Sequence, residues 1–386
     1  MASISDETVS LLRAGGRLES VDSLLALPAP ELFGGVVEPL SDSFEPTLIP
    51  AYVDLFTRLV ERSLPGYSAR SLTERYARLR KSRPVMEPSR VVVLSRITLG
   101  ADVALTSTFL GAALQRWPSA QVVFAGPAKN FEMFAGHPRL SLLDVKYRRH
   151  GTLASRLEAS LALAPLVNDE RTLVLDPDSR LSQLGLLPLA EVERTLFFES
   201  RGVGGESDSL VALTRGFVRE TIGIDARPWI QPPALEGVPA ADVAVSFGVG
   251  ENPAKRMDDA FEFAVVQGLL DRGLRVLLDS GAPGTAEAER AALLEDRCQG
   301  SLIVWHGSFA PFAAAIGRSR LYVGYDSAGQ HVAAAYGVPR LTVFHGHAGP
   351  RFAARWRPDG DGFSRVVFAG EDLLGEVWRG VDAALA

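Results

Sequence analysis

The stretch Leu321-Tyr322-Val323-Gly324-Tyr325-Asp326-Ser327-Ala328-Gly329-Gln330-His331 shows how this chain is built. An apolar strand, Leu321 to Val323, gives way at once to small and polar residues that open a helix. A helix N-terminus presents unpaired N–H donors and partial positive charge, which suits a pyrophosphate. Asp326 or Ser327 would cap that helix. His331 would lie about one turn inside it, within reach of the same crevice. A core histidine bonded to a backbone carbonyl fits the spacing equally well, so His331 alone decides nothing.

The same strand–helix alternation extends in both directions from this unit. Val243 to Phe247, Leu274 to Leu278 and Leu302 to Trp305 read as strands before it, with a helix over Asp258 to Leu270; Leu341 to Phe344 is a strand after it. An earlier series begins at Val91 to Ser95. A helix follows with Val103, Leu110, Leu114 and Trp117 on one face, then strands at Gln121 to Ala125, Leu140 to Val145, Thr172 to Leu175 and Thr195 to Phe198. Short apolar strands alternating with helices predict parallel sheets covered on both faces. Pro228, Pro232, Pro233 and Pro239 lie between the two series, in a stretch without periodicity that reads as a linker.

The fold class is therefore α/β, with two Rossmann-like doubly wound domains at 91–235 and 236–386. Such halves are expected to face a cleft in which small ligands bind. Residues 1–90 form a mostly helical N-terminal extension, with helices near Val21 to Leu27, Ala51 to Leu64 and Ser68 to Lys81. The last carries Arg70, Arg75, Arg78, Arg80 and Lys81, either as a solvated basic face or as an acceptor or membrane-surface element.

Composition narrows the function. The 386 residues suffice for two cores, and 47% hydrophobic with 22% charged residues is ordinary for a globular chain. A formal charge of −6 argues against nucleic acid as a partner. Cys298 is the only cysteine, which excludes an intramolecular disulfide and multi-thiolate metal sites. Met1 to Ser10 carries Asp6 and Glu7 and lacks the pattern of a secretory leader, and no apolar run is long enough to span a bilayer. The expected location is cytoplasmic, with peripheral membrane contact still allowed.

Two more segments carry candidate chemistry. Gly248-Val249-Gly250-Glu251-Asn252-Pro253-Ala254-Lys255-Arg256 follows a strand directly. Gly248 and Gly250 would let backbone N–H groups approach a ligand, and Lys255 and Arg256 would bring charge to a diphosphate. A plain strand–helix turn with two solvated cations is the simpler alternative. Arg96-Ile97-Thr98-Leu99-Gly100-Ala101-Asp102 follows the first strand of the earlier series. Asp102 there either caps a helix or serves as the base that deprotonates an acceptor hydroxyl. Arg180, beyond Asp176-Pro177-Asp178, could meet the same substrate. His345 and His347 lack a carboxylate partner, so neither a metal nor a cofactor is expected.

Read in order, these segments resemble glycosyltransferase family 9, the heptosyltransferase-like family of GT-B fold, from about Val91 to about Gly346. Arg96 to Asp102 matches the family's Arg-x-x-x-x-Gly-Asp spacing, with the glycine at 100 and alanine at 101. Pro253-Ala254-Lys255-Arg256-Met257 matches its Ala-Lys-Arg-Trp segment except at the last position. Asp326-Ser327-Ala328-Gly329-Gln330-His331 matches Asp-Ser/Thr-Gly-x-x-His, with alanine at 328 and glycine at 329; Ala333, Ala334, Gly337 and Pro339 complete it. The resemblance implies an inverting, metal-independent transferase using a nucleotide-diphosphate sugar, typically ADP-heptose, as substrate. It implies Asp102 as base and a phosphate site from Gly248, Gly250, Lys255, Arg256, Asp326, Ser327, Ala328, Gly329 and His331. Arg96 and Arg180 are expected to face the unknown acceptor. An epimerase or hydrolase of nucleotide sugars, or a non-catalytic nucleotide-binding relative, would share the scaffold.

Overall fold

The computed structural model describes residues 3–149, 151–233, 237–250, 252–347 and 349–386. The chain divides into two compact units. The first comprises Met1–Thr98, Thr108–Phe131 and Arg139–Ala226; the second comprises Leu99–Ser107, Glu132–Pro138 and Arg227–Ala386.

The first unit holds β1 (Arg90–Leu94), β2 (Gln121–Gly126), β3 (Leu140–Asp144), β4 (Thr172–Asp176) and β5 (Thr195–Phe197). They form one parallel sheet in the order β3-β2-β1-β4-β5. Both faces are covered, so these strands carry continuous apolar runs where a half-exposed strand would alternate. Val92, Leu94, Val123, Ala125 and Val174 pack with Ala159, Leu163 and Val167. The strand order reverses direction between β1 and β4, and loops there open at the carboxyl ends of the strands, where ligands of such sheets bind.

The N-terminal residues are part of this unit rather than an appendage. Helices Ile4–Arg13, Ile49–Ser63 and Ala69–Leu79 gather a core of their own, in which Val36, Leu40, Leu55, Phe56 and Leu59 pack with Leu184, Leu186, Leu187 and Phe197. The Ala69–Leu79 helix starts with Ser68 accepting from Ser71 N–H and buries Leu72, Tyr76 and Leu79. Several of its cations are used internally. Arg75 donates to the carbonyls of Gly185 (3.2 Å) and Ala190 (2.7 Å), Arg80 pairs with Glu199 at 3.1 Å, and Arg70 pairs with Glu74.

The second unit holds β6 (Val243–Ser246), β7 (Val276–Asp279), β8 (Ile303–Trp305), β9 (Leu321–Tyr325), β10 (Arg340–Phe344) and β11 (Ser364–Phe368). The sheet is parallel in the order β11-β10-β9-β6-β7-β8. Counted from β6 this is the dinucleotide-binding order, with its switch point between β6 and β9. Neither β11 nor the Leu373–Leu385 helix was expected from sequence. β11 is a sheet edge with exposed residues after the breaker-rich Pro358-Asp359-Gly360-Asp361-Gly362, which leaves little apolar signal.

The boundary expected between 235 and 236 lies outside the described residues. Next to it, the proline-rich stretch is bonded into the second unit. Gln231 N–H donates to Met133 O (2.8 Å), Gly136 N–H to Gln231 O (2.8 Å) and Trp229 Nε1–H to Ser107 O (2.7 Å). Among the described residues no helix is long and apolar enough to cross a membrane.

Candidate functional site

The two loops that flank the switch point of the second sheet are the ones singled out in the sequence. β6 runs into Gly248, where an added Cβ would stand 3.4 Å from Glu287 Oε1. The same carboxylate accepts from Val249 N–H at 3.2 Å, so one amide expected to face a ligand is held by a side chain instead. Glu251 lies outside the described residues. Asn252 then accepts from Ala254 N–H (3.1 Å) and opens the short 3-10 turn Pro253–Lys255. Gly346, at φ 57°, allows this turn to close in, because a Cβ there would lie 2.0 Å from Ala254 O. The turn delivers Lys255 to Asp326. Its Nζ donates to Asp326 Oδ2 (2.5 Å) and to the Asp326 carbonyl (3.2 Å), 5.5 Å from the Phe352 ring.

Asp326 follows β9, and its carboxylate meets side chains where a cap would meet the helix amides. Its Oδ1 accepts from Gln330 Nε2 at 2.6 Å. Ser327 has the extended backbone of an N-cap to the Ala328–Tyr336 helix, yet its side chain makes no capping bond. Neither residue expected as the cap serves as one, because the Asp326 carboxylate is committed to Lys255 and Gln330. The first amides of the helix are left without a side-chain acceptor, and they carry the positive end of the helix dipole.

His331 is buried in the same cluster. Its Nε2 faces Gln330 Nε2 at 3.4 Å, and its Nδ1 has no partner among the described residues. Burial, then the charges of Lys255 and Arg340, pull its pKa down to about 3, so it is neutral near pH 7. Gln330 Nε2 gives its two hydrogens to Asp326 Oδ1 and to Trp356 O (3.3 Å), so the contact with His331 Nε2 leaves the ring proton on either nitrogen. The cluster thus offers an ammonium, uncapped amides and, in the Nδ1–H tautomer, an unpaired ring N–H, a donor set that suits an anion.

Asp102 belongs to this unit too. The segment Leu99–Ser107 clusters with it, although its sequence position suggested the other half. Gly100 lies against the start of the Ala328–Tyr336 helix, where a Cβ would stand 3.3 Å from Ala328 Cα and 3.4 Å from His331 Cδ2. Glycine at 100 thus lets this segment approach the backbone of the helix start, so the two departures from the family pattern lie side by side. The chain continues as a π-helical turn, Asp102–Thr106. Asp102 is fully buried and accepts from Thr106 Oγ1 at 2.7 Å.

The remaining three cations expected at the site are engaged elsewhere. Arg256 is bidentate to Glu262 (2.8 and 2.9 Å) and pairs with Asp259; the Glu262 bonds, against a smaller cost of burial, raise its pKa. Arg96 is buried in the first unit, donating to Pro177 O (2.6 Å) and Ser200 Oγ (3.0 Å) 3.9 Å from Asp178, and burial pulls it down to about 10. Arg180 is buried against Asp42 (2.6 Å) and Glu38 (3.3 Å), two carboxylates of the N-terminal extension. Arg201, not singled out in the sequence, joins Asp42 at 3.3 Å and Asp178. Burial would raise the Asp42 carboxyl, but Arg180, Arg201 and Arg149 bring it to about 2. Backbone strain gathers here, with Ile97 at φ 76° and Asp178 at φ 68°.

Sequence reasoning missed Glu287, Gln330 and Thr106. Gln330 and Thr106 are uncharged residues inside helices, a pattern that also fits plain packing. Glu287 reads as a helix-start acid after the Thr285 cap. Among the described residues, no three His, Cys, Asp or Glu side chains gather as a metal-holding group.

Comparison with known proteins bears on the segment that carries this cluster. The model of glycosyltransferase family 9 (heptosyltransferase) matches residues 245–362. No curated protein sequence matches the chain. Among solved structures, a family 9 glycosyltransferase from Veillonella parvula is 16% identical with a TM-score of 0.55, covering 78% of this chain and 91% of its own. The E. coli ADP-heptose LPS heptosyltransferase II is 19% identical with a TM-score of 0.52, covering 77% and 98%. E. coli heptosyltransferase WaaC with ADP is 20% identical with a TM-score of 0.54, covering 76% and 99%. At these identities the structures establish the fold, and within it the segment 245–362 is similar to glycosyltransferase family 9 (heptosyltransferase).

Proposed function

We propose that the chain transfers a heptose-type sugar from a nucleotide-diphosphate donor, ADP-linked, to an acceptor hydroxyl, with inversion and without a metal ion. One observation carries this reading. Lys255, Asp326, Gln330 and His331 converge on an uncapped helix start inside the family-matched segment.

In this reading the acceptor oxygen attacks the anomeric carbon from the face opposite the nucleotide. The bond from that carbon to the phosphate oxygen breaks, and its electron pair leaves with the nucleoside diphosphate. Lys255 and the amides of residues 328–330 stabilise the growing charge, and the neutral His331, in its Nδ1–H tautomer, adds that N–H. A lysine and oriented dipoles would do the work that a divalent cation does elsewhere. Asp102 takes the acceptor proton while Thr106 orients the carboxylate. Asp102 is fully buried in this structure, so the acceptor hydroxyl can meet it only once the residues around it open.

Replacing the base separates chemistry from binding. Asp102→Asn should abolish transfer while ADP affinity, read by calorimetry, stays within about twofold, the signature of an interaction made only in the transition state. Near-normal turnover by the asparagine variant would sink the base assignment.

A further inference from the structure

Tyr322 lies on the β9 face that the Ala328–Tyr336 helix covers, and it is fully buried. Two glycines make room for it. A Cβ at Gly324 would stand 2.3 Å from the Tyr322 hydroxyl oxygen, and one at Gly329 would stand 2.2 Å from it. The ring runs towards the carboxyl edge of the sheet, where the Gly324 position also abuts Ser246 O. There the hydroxyl lies beside those of Ser246 and Ser327, close enough to interact with both, although among the described residues neither contact reaches full hydrogen-bond geometry.

A buried hydroxyl left wholly unsatisfied would cost roughly 1–3 kcal/mol, so one with only loose contacts keeps part of that cost, which a phenylalanine in the same space would avoid. The residue next to it is the N-cap serine that does not cap its helix. A serine there ordinarily turns its oxygen onto the second or third amide of the helix, and those amides are the ones an anion needs.

We propose that Tyr322 is a positioning residue of the donor site, its hydroxyl drawing the Ser327 side chain towards the sheet and so keeping the first amides of the Ala328–Tyr336 helix open for a diphosphate. This rests on the reading that the helix start receives the donor's phosphates. It also explains the glycine at 329, since any β-carbon there would displace the tyrosine.

The test is a double-mutant cycle read by calorimetry with ADP, alongside thermal denaturation. Tyr322→Phe should fold with an unchanged or higher Tm and bind ADP about five- to tenfold more weakly, because Ser327 then caps its own helix. Ser327→Ala gives the reference affinity without the competing side chain, and the double variant should match it within about twofold, since no hydroxyl remains to compete. Wild-type affinity in Tyr322→Phe, or a full loss that persists in the double variant, overturns the tyrosine's role. If the wild-type protein takes up no ADP, the donor-site reading itself falls and takes the tyrosine's role with it.

Discussion

The two sheets carry cations at corresponding places and use them differently. After β1, β4 and β5 stand Arg96, Arg180 and Arg201, each with a carboxylate within 4 Å and all buried. After β6 and β9 stand Lys255 and Asp326, beside a helix start without a side-chain cap and a histidine nitrogen without a partner among the described residues. The first arrangement has more charge and holds the fold together. The second has less charge and leaves donors unspent. Under the proposed function, paired cations at strand ends do not mark the binding site, and unpaired donors next to one cation do.

The contrast makes three predictions. The largest effect should come from Asp42→Ala, which leaves the buried Arg180 guanidinium to Glu38 alone and Arg201 to Asp178 alone. Chemical denaturation should show a loss of about 3–5 kcal/mol. The same carboxylate sets an acid limit. Its folded pKa, near 2, lies below the unfolded value of about 4, so its contribution is present above pH 4 and is lost as the pH falls towards 2. The alanine variant should lack that part of the acid profile; equal stability of the two proteins at pH 7 would mean that the pairing does not hold the fold.

Lys255→Ala should reverse the pattern. Lys255 is partly exposed, so stability should fall by only about 1 kcal/mol, while ADP affinity should drop roughly ten- to a hundredfold with the loss of a charged donor. An unchanged affinity would erase the difference between the two sheets. The smallest effect on binding belongs to Arg256→Ala. Because Arg256 is held by Glu262 and Asp259, ADP affinity should change by less than about twofold. The cost should appear in stability, about 1–3 kcal/mol for a buried Glu262 left short of a partner.

Most of the architecture could be read from the chain. Continuous apolar runs such as Val91 to Leu94 and Val243 to Val245 can be satisfied only between two layers of helix, so the sheets and their order of appearance followed. β11 escaped because an edge strand needs only one buried face. The site was legible where the chemistry was local: Lys255, Asp326 and His331 follow strand ends, and the structure brings them into one cluster. Arg256, Arg96 and Arg180 were read as available cations because the sequence does not show which acids fold back onto them. Glu38 and Asp42 precede Arg180 by well over a hundred residues, so local spacing could not foretell that pairing.

The acids at 38 and 42 have a practical corollary. A shortened chain beginning near residue 85 would keep every motif of the family and look like a tidy catalytic fragment. It would also uncover Arg180 and Arg201 together with the apolar patch of Leu184, Leu186 and Leu187. Such a fragment is expected to aggregate during expression, so the first ninety residues have to travel with any truncation series meant to report on catalysis.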